Sequence, residues 1–170
     1  MQAISKTFAL PGGLPKAVFE PYTKRISPKR KFIIDQHIHP VSVHFPQVFI
    51  VIMFMLPLAL WAESPLREEL LVAAKLAILA LPFSVLLGFI TGLVDGKLRF
   101  KKLTTPLLIN KIRVGVVLKI LSIVIFALYL RNGFTTPTMF VIIILSILSA
   151  SCGVFLGKTG SSMFDSILPG

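Results

Sequence analysis

From residue 45 onward the chain alternates long apolar runs with short polar breaks. The runs cover Phe45 to Ala62, about Leu70 to Leu93, roughly Val114 to Leu130 and roughly Pro137 to Leu156. Each has 17 to 24 residues, near the ~20 that a helix needs to cross ~30 Å of hydrocarbon. None shows the strict apolar–polar alternation of a membrane barrel strand, and a lone segment in lipid must satisfy its own backbone, so helices are expected. The pattern predicts an all-α fold: an integral membrane four-helix bundle over residues 37–170, preceded by a tail over residues 1–36. Pro46 is expected in the first turn of helix one, where a missing N–H is harmless. Pro57 lies deeper and should kink that helix, and Pro82 interrupts helix two.

Composition agrees with this picture. Hydrophobic residues make up 55% of the chain and charged residues 15%, against about 25% charged in soluble domains. Mean hydropathy is +0.86. A net charge of +11 in a soluble protein would point to nucleic acid. Here the charges sit where the apolar runs stop, which points instead to anionic lipid headgroups and away from nucleic acid. The single cysteine, Cys152, rules out an internal disulfide and a cysteine-based metal cluster, and reads as a small helix residue. The four prolines between Pro11 and Pro28 interrupt the tail, so no cleavable signal peptide is expected.

The distribution of lysine and arginine gives the helices a direction. The tail carries Lys6, Lys16, Lys24, Arg25, Lys29, Arg30 and Lys31. The connection between helices two and three carries Lys97, Arg99, Lys101, Lys102, Lys111 and Arg113, and Lys158 follows helix four. One side then holds 14 basic residues, and the other holds 2, Arg67 and Arg131. The positive-inside rule makes the first side cytoplasmic, with both termini there. Lys75 and Lys119 fall inside predicted spans and are expected to snorkel to the surface. The basic tail is expected to lie on acidic headgroups or to dock a partner subunit, with a mobile, solvated tail as the alternative.

Helices in lipid associate through close backbone contact. Ala80, Ser84, Gly88 and Gly92 form a small-residue ridge at spacing four on helix two, and Ser149, Gly153 and Gly157 form another on helix four. Both ridges lie in the cytoplasmic halves of helices running the same way, so helices two and four are predicted to cross tightly there. The alternative is that one ridge serves a homodimer. Gly157-Lys158-Thr159 is not a phosphate-binding loop, because Cys152 stands where the first glycine belongs. Gly157, Gly160, Ser161 and Ser162 read as a helix terminus turning into the interface.

The chemically richest stretch runs from Asp35 to Pro46. All three histidines, His37, His39 and His44, gather at the mouth of helix one, and the topology brings Asp95, Asn110, Lys111, Arg113 and Lys158 to the same face. Histidine is a metal or haem ligand and a proton carrier near neutral pH. His37, His39 and His44 are therefore candidate metal ligands, and His39, His44, Asp95 and Lys111 are candidates for holding haem b or a quinone headgroup. Against them stands the plainer reading of interfacial residues bonded to loop backbone and lipid. Haem meets a further objection, since only helix one offers histidine.

The string His39-Pro40-Val41-Ser42-Val43-His44-Phe45-Pro46, or HPxxVHFP, resembles the DUF2231 family of small bacterial four-helix membrane proteins. Gly88, Thr91-Gly92, Thr105-Pro106 and Lys111 extend the resemblance over roughly residues 37 to 160. The chain departs from the family at Asp95-Gly96, where relatives often carry tryptophan, and at Asn110-Lys111, where many carry histidine. The resemblance implies a redox-associated subunit of the bacterial cytoplasmic membrane, without implying a mechanism. The leading expectation is a small multi-pass subunit associated with electron transfer, acting beside other membrane subunits or as a homo-oligomer. The alternatives are a cofactor-free assembly subunit and, behind it, a small transporter. A stand-alone enzyme is not expected.

Overall fold

The computed structural model describes residues 38–100 and 106–165. The tail, His37, Lys101, Lys102 and Thr105 lie outside the described residues. Five helices follow one another: α1 (Ile38–Met53), α2 (Leu56–Trp61), α3 (Leu66–Phe100), α4 (Pro106–Asn132) and α5 (Thr136–Asp165). With α1 and α2 as one interrupted span, four segments are long and apolar enough to cross a membrane, their most apolar windows having mean hydropathy between 2.1 and 2.6. Large apolar side chains such as Phe83, Leu76, Ile144 and Val154 point outward on several helices. A water-soluble bundle would carry charge on those faces.

The spans form a ring in chain order. The first packs on α3, α3 on α4, α4 on α5, and α5 returns to α1 and α2. The predicted crossing of helices two and four is therefore corrected: α3 and α5 stand across the diagonal and are not a principal packing pair. The glycine ridges do different work on each side. A Cβ on Gly88 would lie 3.6 Å from a methyl of Val43 on α1, and one on Gly92 would collide with the His39 ring at 2.9 Å. The α3 ridge thus admits α1. A Cβ on Gly153 or Gly157 would meet nothing within 4 Å, so the α5 glycines border open space.

Pro57 interrupts the first span as expected. Its ring and missing N–H are incompatible with an ordinary helical bond to the Met53 carbonyl. Around the break Phe54 N–H and Met55 N–H donate three residues back, to Val51 and Ile52 oxygens at 3.0 and 2.9 Å. Pro46 departs from expectation, since α1 starts at Ile38 and places Pro46 in its interior, buried. Pro40 takes the first-turn role instead. The Ser42 carbonyl, which Pro46 cannot pair with, lies 3.8 Å from where a Gly88 Cβ would stand. Pro82 stays within a continuous α3.

The helices also run further than the apolar runs that announced them. At the end where α1 begins, α3 finishes, α4 begins and α5 finishes, each continues about two turns past its run, roughly 12 Å at 1.5 Å per residue. The expected turn at Gly157 and Gly160 is thereby corrected, because α5 passes through both. The opposite half of the bundle holds the core, where Met53, Leu56, Ile78, Leu81, Ile125, Met139 and Ile142 are fully buried. Buried Ser84, Ser122, Ser146 and Ser149 donate to carbonyls of their own helices at 2.7 to 2.8 Å, which satisfies each hydroxyl locally; Ser146 also lies 3.7 Å from the Met53 sulfur of α1.

At the core end, Gly133 closes α4 with a φ of 58°. Its N–H donates to the Tyr129 carbonyl at 2.8 Å, and the Phe134 ring packs on the Tyr129 ring at 4.8 Å. This is the left-handed cap for which glycine is suited. Trp61, the chain's one tryptophan, ends the first span at the same end and is 88% exposed.

Candidate functional site

Where the core stops, a cavity of about 370 Å³ opens among all four spans, towards the end at which the helices extend. Its size arises from missing side chains: Gly88, Gly92, Gly96, Gly115, Gly153, Gly157 and Gly160 all line it. Ile50, Val85 and Leu118, each buried, line the end nearest the core. The remaining wall is largely apolar and includes Val43, Phe89, Leu93, Ile112 and Leu156.

The polar groups on this wall are those that the topology had gathered. His39, His44, Asp95 and Lys111 all line the cavity, and Gln47 joins them. His39 is held from α3. Its Nδ1 lies 3.3 Å from the Thr91 hydroxyl, and its ring rests on the space left by Gly92. The Thr91 hydroxyl donates to the Leu87 carbonyl at 2.9 Å, sharing its proton with Gly88 at 3.1 Å. Its oxygen is then an acceptor for His39 and for the Ser42 hydroxyl, which lies 2.6 Å away. Ser42 can alternatively donate to the His39 carbonyl at 2.9 Å. The first two turns of α1 are therefore fastened to α3 by a small hydroxyl–imidazole network.

Lys111 reaches across from α4. Its ammonium would lie 3.7 Å from a Cβ on Gly160 of α5, and the charge of Asp95 on α3 acts on it. A half-buried ammonium beside apolar walls retains donors that favour an oxygen-bearing group.

The metal reading fares differently. His39 and His44 are five residues apart on α1, so they leave it about 140° apart at 100° per residue. Among the described residues no three histidine, cysteine or carboxylate side chains come together as a metal site, and His37 lies outside those residues. Met53 and Met139 are packed into the core, away from these histidines, and Met53 sulfur accepts from Ser146 at 3.7 Å; the Met163 side chain lies outside the described residues.

Lys119 corrects another expectation. Instead of snorkelling, its ammonium donates to the Pro82 carbonyl on α3 at 2.6 Å. Lys75 is exposed. Sequence reasoning overlooked Gln47, Phe89 and Gly115 as wall residues, and Ser42 as a tie between α1 and α3. Gly115 was detectable only through its neighbour: a Cβ there would meet the Phe89 ring at 2.9 Å.

Comparison with protein-family models, with curated proteins and with solved structures finds no match to this chain.

Proposed function

We propose that this chain is a small multi-pass subunit of a bacterial cytoplasmic membrane, with both termini inside, and that its cavity binds a quinone as part of an electron-transfer complex. The observation that carries the reading is the grouping of the Lys111 amine, the His39 and His44 imidazoles and the Asp95 carboxylate on the wall of one otherwise largely apolar cavity. A quinone carries carbonyl oxygens for such a donor, a flat ring for glycine-rich walls and an apolar tail. The volume of about 370 Å³ is within the roughly 300–1,000 Å³ usual for small-molecule sites. A solid core beyond Ile50, Val85 and Leu118 supports binding over conduction. The lysine and arginine distribution supports the orientation, and the HPxxVHFP resemblance supports the redox setting.

Haem b is the less favoured occupant, since α3, α4 and α5 contain no histidine. The alternative of a cofactor-free assembly subunit, docking a partner through residues 1–36, predicts an empty protein. The test is extraction of lipid-soluble cofactors from detergent-purified full chain, alongside an optical spectrum. Stoichiometric quinone, lost in Lys111→Ala at unchanged folding, is expected. A folded protein carrying no quinone would defeat the proposal, and a Soret band lost in His44→Ala would replace it with haem.

A further inference from the structure

The cavity is not equally enclosed on all sides. Its α3 and α4 walls are formed by buried or half-buried residues, among them Gly88, Gly96, Gly115 and Leu118. The lining residues that are exposed are His44 and Gln47 on α1 and Gly157 on α5. These belong to the two spans that close the ring. There α1 packs chiefly on α3 and only lightly on α5, and the glycines at 153 and 157 face space that a side chain would otherwise occupy.

The level of this gap along the bundle matters as well. Gln47 and Gly153 lie within the apolar runs, and their exposed neighbours Val48, Val51 and Val154 are apolar. Gln47 is the lone side-chain amide of the first run. An opening at this height faces hydrocarbon, whereas the Lys111 and Asp95 end of the cavity lies towards the helix extensions.

We infer that the gap between α1 and α5 is a lateral portal, through which a single-tailed, lipid-soluble ligand enters the cavity from within the bilayer. The head lies towards His39 and Lys111 and the tail leaves between Gln47 and Gly153. This rests on the quinone reading above and adds the route and the ligand's polarity along the bundle. Gln47 offers an amide at the threshold, where a polar head must pass from lipid into the site. The bare α5 backbone supplies width without a moving part.

Photoaffinity labelling of the full chain in proteoliposomes tests the route, using two azidoquinones, one with a single alkyl tail and one without. Both are expected to label wild-type peptides containing residues 38–50. A Cβ at Gly153 or Gly157 meets nothing within 4 Å, so Gly153→Leu and Gly157→Leu should fold while cutting labelling by the tailed probe at least about tenfold. The tailless probe, able to enter from water, should lose much less labelling than the tailed one in both variants, so the ratio of the two reads the portal apart from the narrowing of the cavity. Val154→Leu, on the exposed outer face, should change neither. Unchanged tailed labelling in both glycine variants overturns the portal while leaving the quinone site standing. Equal loss of both probes also overturns it, by placing the glycines in the head site. No labelling of wild type overturns the quinone reading itself.

Discussion

At the scale of single residues, glycines in one cavity wall carry opposite expectations. A Cβ on Gly92 would press on the His39 ring at 2.9 Å, and the ring would have to leave its place beside Thr91. Overpacking of this kind costs about 1–3 kcal/mol. Gly92→Ala is expected to lose stability in that range and to weaken quinone retention. Gly153→Ala meets nothing within 4 Å and gains the helix preference of alanine over glycine, up to about 1 kcal/mol. Thermal unfolding in detergent compares the two, and a matching sign for both would refute the wall geometry. His39, Asp95 and Lys111 were legible as a group because charge and helix direction alone bring them to one end. Their support was not legible. Thr91 and Ser42 look like ordinary hydroxyls until α1 is laid on α3, and Lys119 looks like a snorkelling lysine until the Pro82 carbonyl is seen beside it.

At the scale of elements, the existence of the spans was written in the apolar runs, but their extents were not. A helix continues past its apolar run wherever neighbouring helices keep packing, and hydropathy falls there although the backbone does not change. That is why each helix gained about two turns at the cavity end, and why Pro46 moved from a first turn to a helix interior. The pairing of α3 with α5 was misjudged for a related reason. Small residues at spacing four show that backbone is uncovered without showing what uses the room; on α3 a helix and an imidazole use it, and on α5 a cavity does. The α4 terminus is a cleaner case. Gly133 sits at a φ of 58°, where a side chain costs roughly 1–2 kcal/mol. Gly133→Ala should lower the unfolding free energy by about that amount without touching cofactor content, since the cap stands at the opposite end from the cavity. Equilibrium denaturation checks the first part, and cofactor extraction the second.

At the scale of the whole molecule, the ring of spans places the starts of α1 and α4, the ends of α3 and α5, and the cavity at one end. With the positive-inside orientation, a reporter fused after Gly170 should be active only when it is one that works in the cytoplasm. Activity of a periplasmic reporter at that position would invert the molecule and move the cavity to the other leaflet. The ring order itself was open in the sequence, because short connections make successive helices antiparallel neighbours without saying which helix closes the circle. Light packing between the first and last spans is the natural place for an opening, being the one junction that no chain connection holds together.

Trp61 gives the molecule an optical property of its own. The sole indole stands 88% exposed at the end opposite the cavity, where interfacial tryptophans favour the headgroup layer. In the bilayer setting proposed above, its emission would monitor the leaflet away from the cavity, and contact quenching by a quinone bound beside Lys111 should be absent. Brominated lipids, by contrast, should quench it according to depth. One chromophore then reports how the protein sits in the bilayer, undisturbed by what its cavity holds.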